Sequence, residues 1–115
     1  MYREVNNPYS VNLYVGYCIT KQEYAEIFDD DSWEEVQEDF KDCDGWVASH
    51  GRTILINFEE GFEFGTIIHE CYHAANEIWI QIGAEHDRYN DEPFAYILGY
   101  IAEQAKDLLS EIFKK

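Results

Sequence analysis

The order of apolar patterns along this chain predicts an α+β domain. Three observations carry that prediction. Apolar residues alternate near the N-terminus, two apolar runs flank a short glycine-containing loop in the middle, and two long stretches of helical periodicity fill the C-terminal half. With 115 residues, the chain has the length of one domain, so residues 1–115 are expected to share a single core.

The N-terminal part predicts a strand followed by a short helix. Alternation over residues 11–19 is typical of a strand with one buried face. Thr20 followed three residues later by Glu23 forms a capping box, which predicts a helix that begins there and runs to about Phe28.

A second helix is predicted from Ser32 and Glu35, which repeat the capping-box spacing. Apolar residues follow at helical spacing, namely Trp33, Val36, Phe40 and Cys43. The acidic block over residues 29–44 then becomes the solvated face of an amphipathic helix.

The middle of the chain predicts a β-hairpin. Residues 45–49 and 53–58 are two apolar runs, and the loop between them, His50-Gly51-Arg52, contains a glycine. Residues 59–65 are then a connection punctuated by glycines.

Two long helices close the predicted fold. The first covers roughly residues 65–82 and ends at Gly83, a residue typical of helix C-termini. The second begins near Asn90 or Asp91, accepts Pro93 in its first turn, and runs to about Phe113.

Composition narrows the classes of partner and compartment. The formal net charge is −16, from 24 acidic and 8 basic residues, which disfavours direct binding to nucleic acid or to an anionic membrane. It suits a cation site, a basic protein partner or simple solubility. The three cysteines have no CxxC spacing, and neither an apolar leader nor a membrane-length segment is present. We therefore expect a cytoplasmic monomer with free thiols.

The sequence HECYH at residues 69–73 predicts a metal site. His69 and His73 are four apart, so on a helix both imidazoles lie on one face and can bind the same cation. Glu70 lies one step round, beside the metal, where its carboxylate can take a proton from water. Cys71 is expected to fill the core behind this face. Histidine and carboxylate ligands suit zinc, and manganese, nickel or iron are also compatible.

A third ligand is expected downstream, where the candidates are Glu85, His86, Asp87, Asp91 and Glu92. The first helix runs away from the site and the following loop is long enough to return, so the first turn of the last helix is predicted to face the histidines. This favours Glu92, with Asp91 as the rival, and leaves His86 near the far end of the helix. Cys43 is a less favoured alternative.

The last helix is also predicted to pack closely on the HECYH helix. Ala95, Gly99 and Ala102 lie approximately on the same side as Glu92. A glycine inside a helix costs about 1 kcal/mol relative to alanine, and close contact between the two helices would explain Gly99.

The HECYH motif and the downstream segment NDEPFAY, with 18 residues between His73 and Glu92, resemble the gluzincin branch of zinc metallopeptidases. The combination is similar to minimal zincin-like proteins of phages and prophages. The resemblance implies a minimal zincin-like domain, in which a small antiparallel or mixed β-sheet packs on the HExxH helix and on a C-terminal helix that carries the glutamate. It also implies that His69, His73 and Glu92 bind Zn²⁺ and that Glu70 is the general base.

The expected activity is that of a small metallopeptidase acting on a peptide or protein substrate. TILINF, residues 53–58, resembles the edge strand that lines the substrate cleft in such enzymes, so the substrate is expected to pair along residues 54–58. Tyr96 is the expected donor to the oxyanion, with Tyr89 and His86 as alternatives.

A different class of function is the alternative. An acidic, zincin-shaped binding or inhibitor protein, with a surface that mimics DNA, would need little or no catalytic activity. In that case changing Glu70 to glutamine would have no effect, whereas reversing charges at Asp30, Glu34 and Glu38 would impair function. A plain solvated helix face also explains the acidic block.

Overall fold

The computed structural model describes residues 1–28 and 32–113 and confirms an α+β architecture. Within those ranges, four strands form one mixed sheet and four helices pack against it. In chain order the elements are β1 (Tyr2–Val5), β2 (Asn12–Tyr17), α1 (Lys21–Phe28), α2 (Trp33–Asp39), β3 (Gly45–His50), β4 (Thr53–Phe58), α3 (Phe64–Gln81) and α4 (Glu92–Ile112).

The sheet has the order β1-β2-β4-β3, with β2 and β4 parallel and the other two pairs antiparallel. The hairpin prediction is confirmed: β3 and β4 are joined by a two-residue turn, and His50 pairs with Thr53 across it. Gly51 occupies the first turn position with a φ of +60°, a backbone conformation that glycine adopts without a steric penalty.

Strand β4 lies inside the sheet, between β2 and β3. The prediction that residues 53–58 form the edge strand is therefore wrong, and β3 is the edge strand on this side. The physical reason is burial: residues 54–58 are all buried, so the run is covered on both faces, as is typical of a central strand. The sequence pattern also missed β1, which has only four residues and pairs with β2 from Tyr2 opposite Gly16.

The sheet separates two apolar layers, and the alternation along β4 shows how. Ile54, Ile56 and Phe58 belong to the larger core beneath α3 and α4. Leu55 points to the opposite face and packs in the smaller cluster that includes Tyr24 of α1. Helices α3 and α4 therefore cover one side of the sheet, and α1 and α2 cover the other.

The first capping box is confirmed and the second is not. The Glu23 amide donates to the Thr20 hydroxyl at 3.1 Å, and the Thr20 amide donates to the Glu23 carboxylate at 3.0 Å. Ser32 precedes α2 but makes no side-chain cap; its hydroxyl lies 2.6 Å from the hydroxyl of Tyr24. Helix α2 ends at Asp39, and Cys43 beyond it is exposed. Residues 29–31 of the acidic block lie outside the described residues.

The two long helices are confirmed within one or two residues. Helix α3 ends in a Schellman motif: the Gly83 amide donates to the Ile80 carbonyl and the Ala84 amide to the Trp79 carbonyl, each at 3.0 Å. Gly83 has a φ of +77°, which turns the chain back at this point. Among the described helices, none combines the length and apolar character needed to cross a membrane.

The predicted close packing at Gly99 is wrong. A Cβ built on Gly99 meets no atom within 4 Å, and Ala95 is exposed as well. The buried stripe of α4 lies elsewhere and consists of Phe94, Ile97, Ile101, Ala105, Leu108 and Leu109. The helix faces α3 with these larger side chains, and Gly99 lines a groove with Ile67 and Ile68 of α3 without close contact.

The cysteines allow a direct test of this core. Cys18 and Cys43 are exposed, whereas Cys71 is fully buried, as expected, and all three are free. Burial raises the pKa of the Cys71 thiol to about 12, and the nearby Glu70 carboxylate adds to the increase.

At pH 8, a thiol reagent should label two cysteines rapidly and the third only after unfolding, because about one Cys71 thiol in 10⁴ is ionised there. Cys71→Ala should lose only the slow reaction, and three rapid reactions would contradict this packing.

Candidate metal centre

Helix α3 places His69 and His73 side by side on its exposed face, as the i, i+4 spacing predicts. Their Nε2 atoms are 3.2 Å apart, and the ring planes are inclined by 75°. The His69 side chain is 67% exposed, so the pair is open to a solute.

The separation of the two nitrogens matches the geometry of a shared zinc ligand pair. Zinc binds imidazole nitrogen at about 2.0–2.1 Å, and a tetrahedral angle then sets two such nitrogens about 3.3 Å apart. The observed 3.2 Å is close to that value. The same distance also allows an N–H···N hydrogen bond when one ring carries the proton, and metal uptake distinguishes the two arrangements.

Glu70 lies beside the two histidines, but its carboxylate is too far from His69 for the two to be neighbouring ligands of one ion. Its Oε2 atom is 3.9 Å from Nε2 of His69, longer than the spacing between two ligands of one tetrahedral ion. The residue is 9% exposed. Burial raises the pKa of the Glu70 carboxyl, and His69 and His73 partly counteract that increase. A buried carboxyl of raised pKa is suited to accepting and releasing a proton.

The end of the edge strand holds Glu70 in place. A Cβ on Gly45 would lie 3.0 Å from Cγ of Glu70 and 3.0 Å from Cγ2 of Thr66. A side chain at position 45 would therefore crowd both residues, whereas glycine lets β3 approach α3 without displacing them. The predicted hairpin thus has a role at the site, although sequence reasoning did not single out Gly45.

A cleft of about 420 Å³ opens over the histidines, between α3 and the edge strand β3. Besides His69, Glu70 and His73, its lining includes Val47, Ser49, Asn76 and Glu77. A second cavity of about 400 Å³ is lined by His69 and Glu70 with Cys43 and Asp44. Cys43 therefore shares both cavities with His69, a placement that the sequence pattern gave little reason to expect.

The cleft also contains unpaired backbone groups of the sheet. In a two-residue hairpin, the residues that flank the turn exchange both hydrogen bonds, here His50 and Thr53. Alternation along β3 then directs the N–H and C=O groups of Gly45, Val47 and Ser49 away from β4. All three residues line the cleft, so it presents a strand edge capable of pairing with an extended chain.

Glu92 and Asp91 do not join the histidines. In the part of the chain that the structure describes, the group able to hold a metal ion is His69, Glu70 and His73, whose ligand atoms lie within 4.8 Å of one another. Glu92 is the exposed first residue of α4, and at 100° per residue it falls on the side opposite the buried Phe94 and Ile97.

The predicted oxyanion donors are placed unevenly. Tyr96 is 73% exposed and Tyr89 83% exposed, and neither lines the cleft. His86 lies close to the histidine face: its Nε2 is 2.7 Å from Oδ1 of Asn76, the residue that continues that face after His73. The prediction that His86 stays at the far end is wrong, because the chain reverses at Gly83 and folds back along α3.

No protein-family model, curated protein or solved structure matches this chain. The gluzincin resemblance therefore depends on motif spacing alone.

Proposed function

We propose that this protein is a metal-dependent peptide hydrolase built as a minimal zincin-like domain, with zinc as its metal. One observation carries the proposal. Two imidazole nitrogens 3.2 Å apart lie beside a buried carboxylate, at the base of a cleft with an open strand edge. That combination provides ligands, a base and a place for an extended substrate.

The residues present fit a divalent ion. His69 and His73 would hold it through Nε2, and imidazole is a ligand well suited to zinc. A zinc ion bound there would polarise a carbonyl and acidify its water. Glu92 as the third protein ligand stays a sequence prediction, and its position on the outer side of α4 gives it no support.

Glu70 would be the proton carrier. Its carboxylate would take a proton from the attacking water and deliver that proton to the leaving amine. Burial in the cleft and the close contact with Gly45 limit its movement, so the carboxylate is already positioned before substrate arrives. Tyr96 as the oxyanion donor stays a sequence prediction without geometric support.

The substrate would pair with β3, since β4 has no free edge. An extended peptide that bonds to the backbone of Val47 and Ser49 would lie across the face of α3 that carries the histidines. Peptide recognition of this kind uses main-chain hydrogen bonds for affinity and side-chain subsites for selectivity.

Metal uptake tests the proposal directly. Untagged protein should bind about one Zn²⁺ per chain by elemental analysis and titration calorimetry. His69→Ala and His73→Ala should each weaken zinc binding. The loss should exceed the roughly 10- to 100-fold that follows when a hydrogen-bond partner of a metal ligand is replaced. His50→Gln on β3 is the matched control and should bind like the wild type, as should Glu92→Gln, since Glu92 lies apart from the histidines. Wild-type protein that binds no metal would refute the proposal.

The alternative of an acidic binding protein has one structural observation in its favour. Helix α2 exposes Glu34, Glu35, Glu38 and Asp39 on one surface. The variant Glu34→Lys/Glu38→Lys should leave hydrolysis unchanged under our proposal. Loss of the biological effect in that variant, with Glu70→Gln fully functional, would favour the alternative. Asp30, the third acidic position of that hypothesis, lies outside the described residues.

A further inference from the structure

The cleft that contains the histidines is acidic along its length. Glu77 lines one end, Asp44 lines the adjoining cavity at the other end, and Glu70 lies between them. Among residues 1–28 and 32–113, no lysine or arginine lines either cavity. The whole chain adds a net charge of −16, so the potential in this concave region favours cations.

Neither Asp44 nor Glu77 is in a salt bridge within the described part of the chain. Glu77 accepts one hydrogen bond, at 3.3 Å from Nε2 of Gln81, and this contact holds it at the cleft wall. Asp44 is exposed directly before β3. Glu70 between them is buried, and its Oε2 lies 3.9 Å from Nε2 of His69.

The spacing of these groups matches an extended chain. Gly45 contacts α3 at Thr66 and Glu70, whereas the Gly51 carbonyl accepts from Gln81, so β3 and α3 run in the same direction. From Thr66 to Glu77 the helix rises about 16 Å at 1.5 Å per residue. An extended peptide covers that length with about five residues at 3.3 Å each.

We infer that the cleft selects extended peptide segments that carry lysine or arginine within about two residues on either side of the reacting carbonyl, with Glu77 and Asp44 binding those side chains. This inference rests on the proposed function for the position of the reacting carbonyl. The pairing itself requires only the open edge of β3 and the two carboxylates, so it can be measured without metal.

Binding to a catalytically silenced protein tests it. Glu70→Gln is titrated with fluorescent ten-residue peptides that differ only in two central positions, occupied by lysine, glutamine or glutamate. The lysine peptide should bind about tenfold more tightly than the glutamine peptide at low salt, and the difference should shrink as the ionic strength increases. If the glutamate peptide binds as tightly as the lysine peptide, or more tightly, the inference is overturned.

Two further variants separate local recognition from overall charge. Adding Glu77→Gln and Asp44→Asn should abolish the lysine preference, whereas adding Glu103→Gln and Asp107→Asn on α4, with the same change in net charge, should preserve it. If both pairs of substitutions reduce the lysine preference equally, the inference is overturned, because net charge alone would then explain the preference.

The backbone part of the inference has its own measurement. Bound peptide should slow hydrogen exchange at the Val47 and Ser49 amides. Ser49→Pro removes an outward N–H from the edge strand, so it should weaken the binding of all three peptides. Unchanged exchange at both amides would place the peptide elsewhere and overturn the inference. If the protein takes up no metal but still prefers the lysine peptide, the proposed hydrolase function is refuted and the inferred peptide-binding site is supported.

Discussion

Replacing Glu70 with glutamine is expected to lower kcat for peptide hydrolysis by at least about 100-fold, within the range that general acid–base catalysis contributes. Glutamine has nearly the same shape and fits beside Gly45, but it cannot accept the proton of the attacking water. Since Oε2 lies 3.9 Å from Nε2 of His69, outside the spacing of a ligand pair, zinc affinity should change little. Turnover of a quenched fluorescent peptide and zinc titration measure the two effects separately.

The matched control for that change is Glu103→Gln, an exposed glutamate on α4 that does not line the cleft. It should retain wild-type kcat and KM. Hydrolysis that survives in Glu70→Gln would show that Glu70 is not the base. Loss of both zinc and activity in the same variant would identify Glu70 as a ligand, which the burial of its carboxylate and the 4.8 Å grouping with the histidines also allow.

The sequence predicted the parts of the site that depend on local structure. His69 and His73 share a face because the helical period fixes their relation, whatever surrounds the helix. The bounds of α3 and α4 follow from Gly83 and Pro93, two residues whose backbone preferences act over a few positions. The hairpin followed from Gly51 between two apolar runs.

The parts that failed depend on how elements pack. Strand β2 pairs with β4 across the intervening α1, α2 and β3, and local periodicity contains no information on that pairing. The position of Glu92 depends on the rotation of α4. Here a usable signal existed, since the spacing of Phe94, Ile97 and Ile101 already places Glu92 on the opposite side. This larger apolar stripe, and not the spacing of Ala95 and Gly99, determines which side of α4 is buried.

The return of His86 to the histidine face also had a local signal. Glycine at position 83 predicted the end of α3, but its left-handed conformation additionally reverses the chain, so the next residues lie against the last turns of the helix. The maximum reach of a loop sets only how far it can extend, whereas the Schellman motif sets its initial direction. Direction was the stronger constraint for a residue only three positions beyond the glycine.

Phe58→Ala is expected to reduce the free energy of unfolding by about 3–5 kcal/mol, a large fraction of the roughly 5–15 kcal/mol typical of a domain. Phe58 is fully buried on the central strand, and its ring centroid is 5.9 Å from that of Phe62. Urea denaturation followed by circular dichroism measures the loss. Phe64→Ala removes the same side chain from a position that is 76% exposed and should change stability by about 0.5 kcal/mol or less.

The same substitution connects the core to the site. Phe58 pairs with Gly45 in the sheet register, and Gly45 is the residue that contacts Glu70. A cavity at position 58 should therefore loosen the end of β3 and weaken peptide binding, even under conditions where Phe58→Ala remains folded. Zinc affinity should change less, because His69 and His73 belong to a single helix. Equal losses of stability in Phe58→Ala and Phe64→Ala would contradict a core centred on β4, and with it the rigid support that this arrangement gives to Glu70.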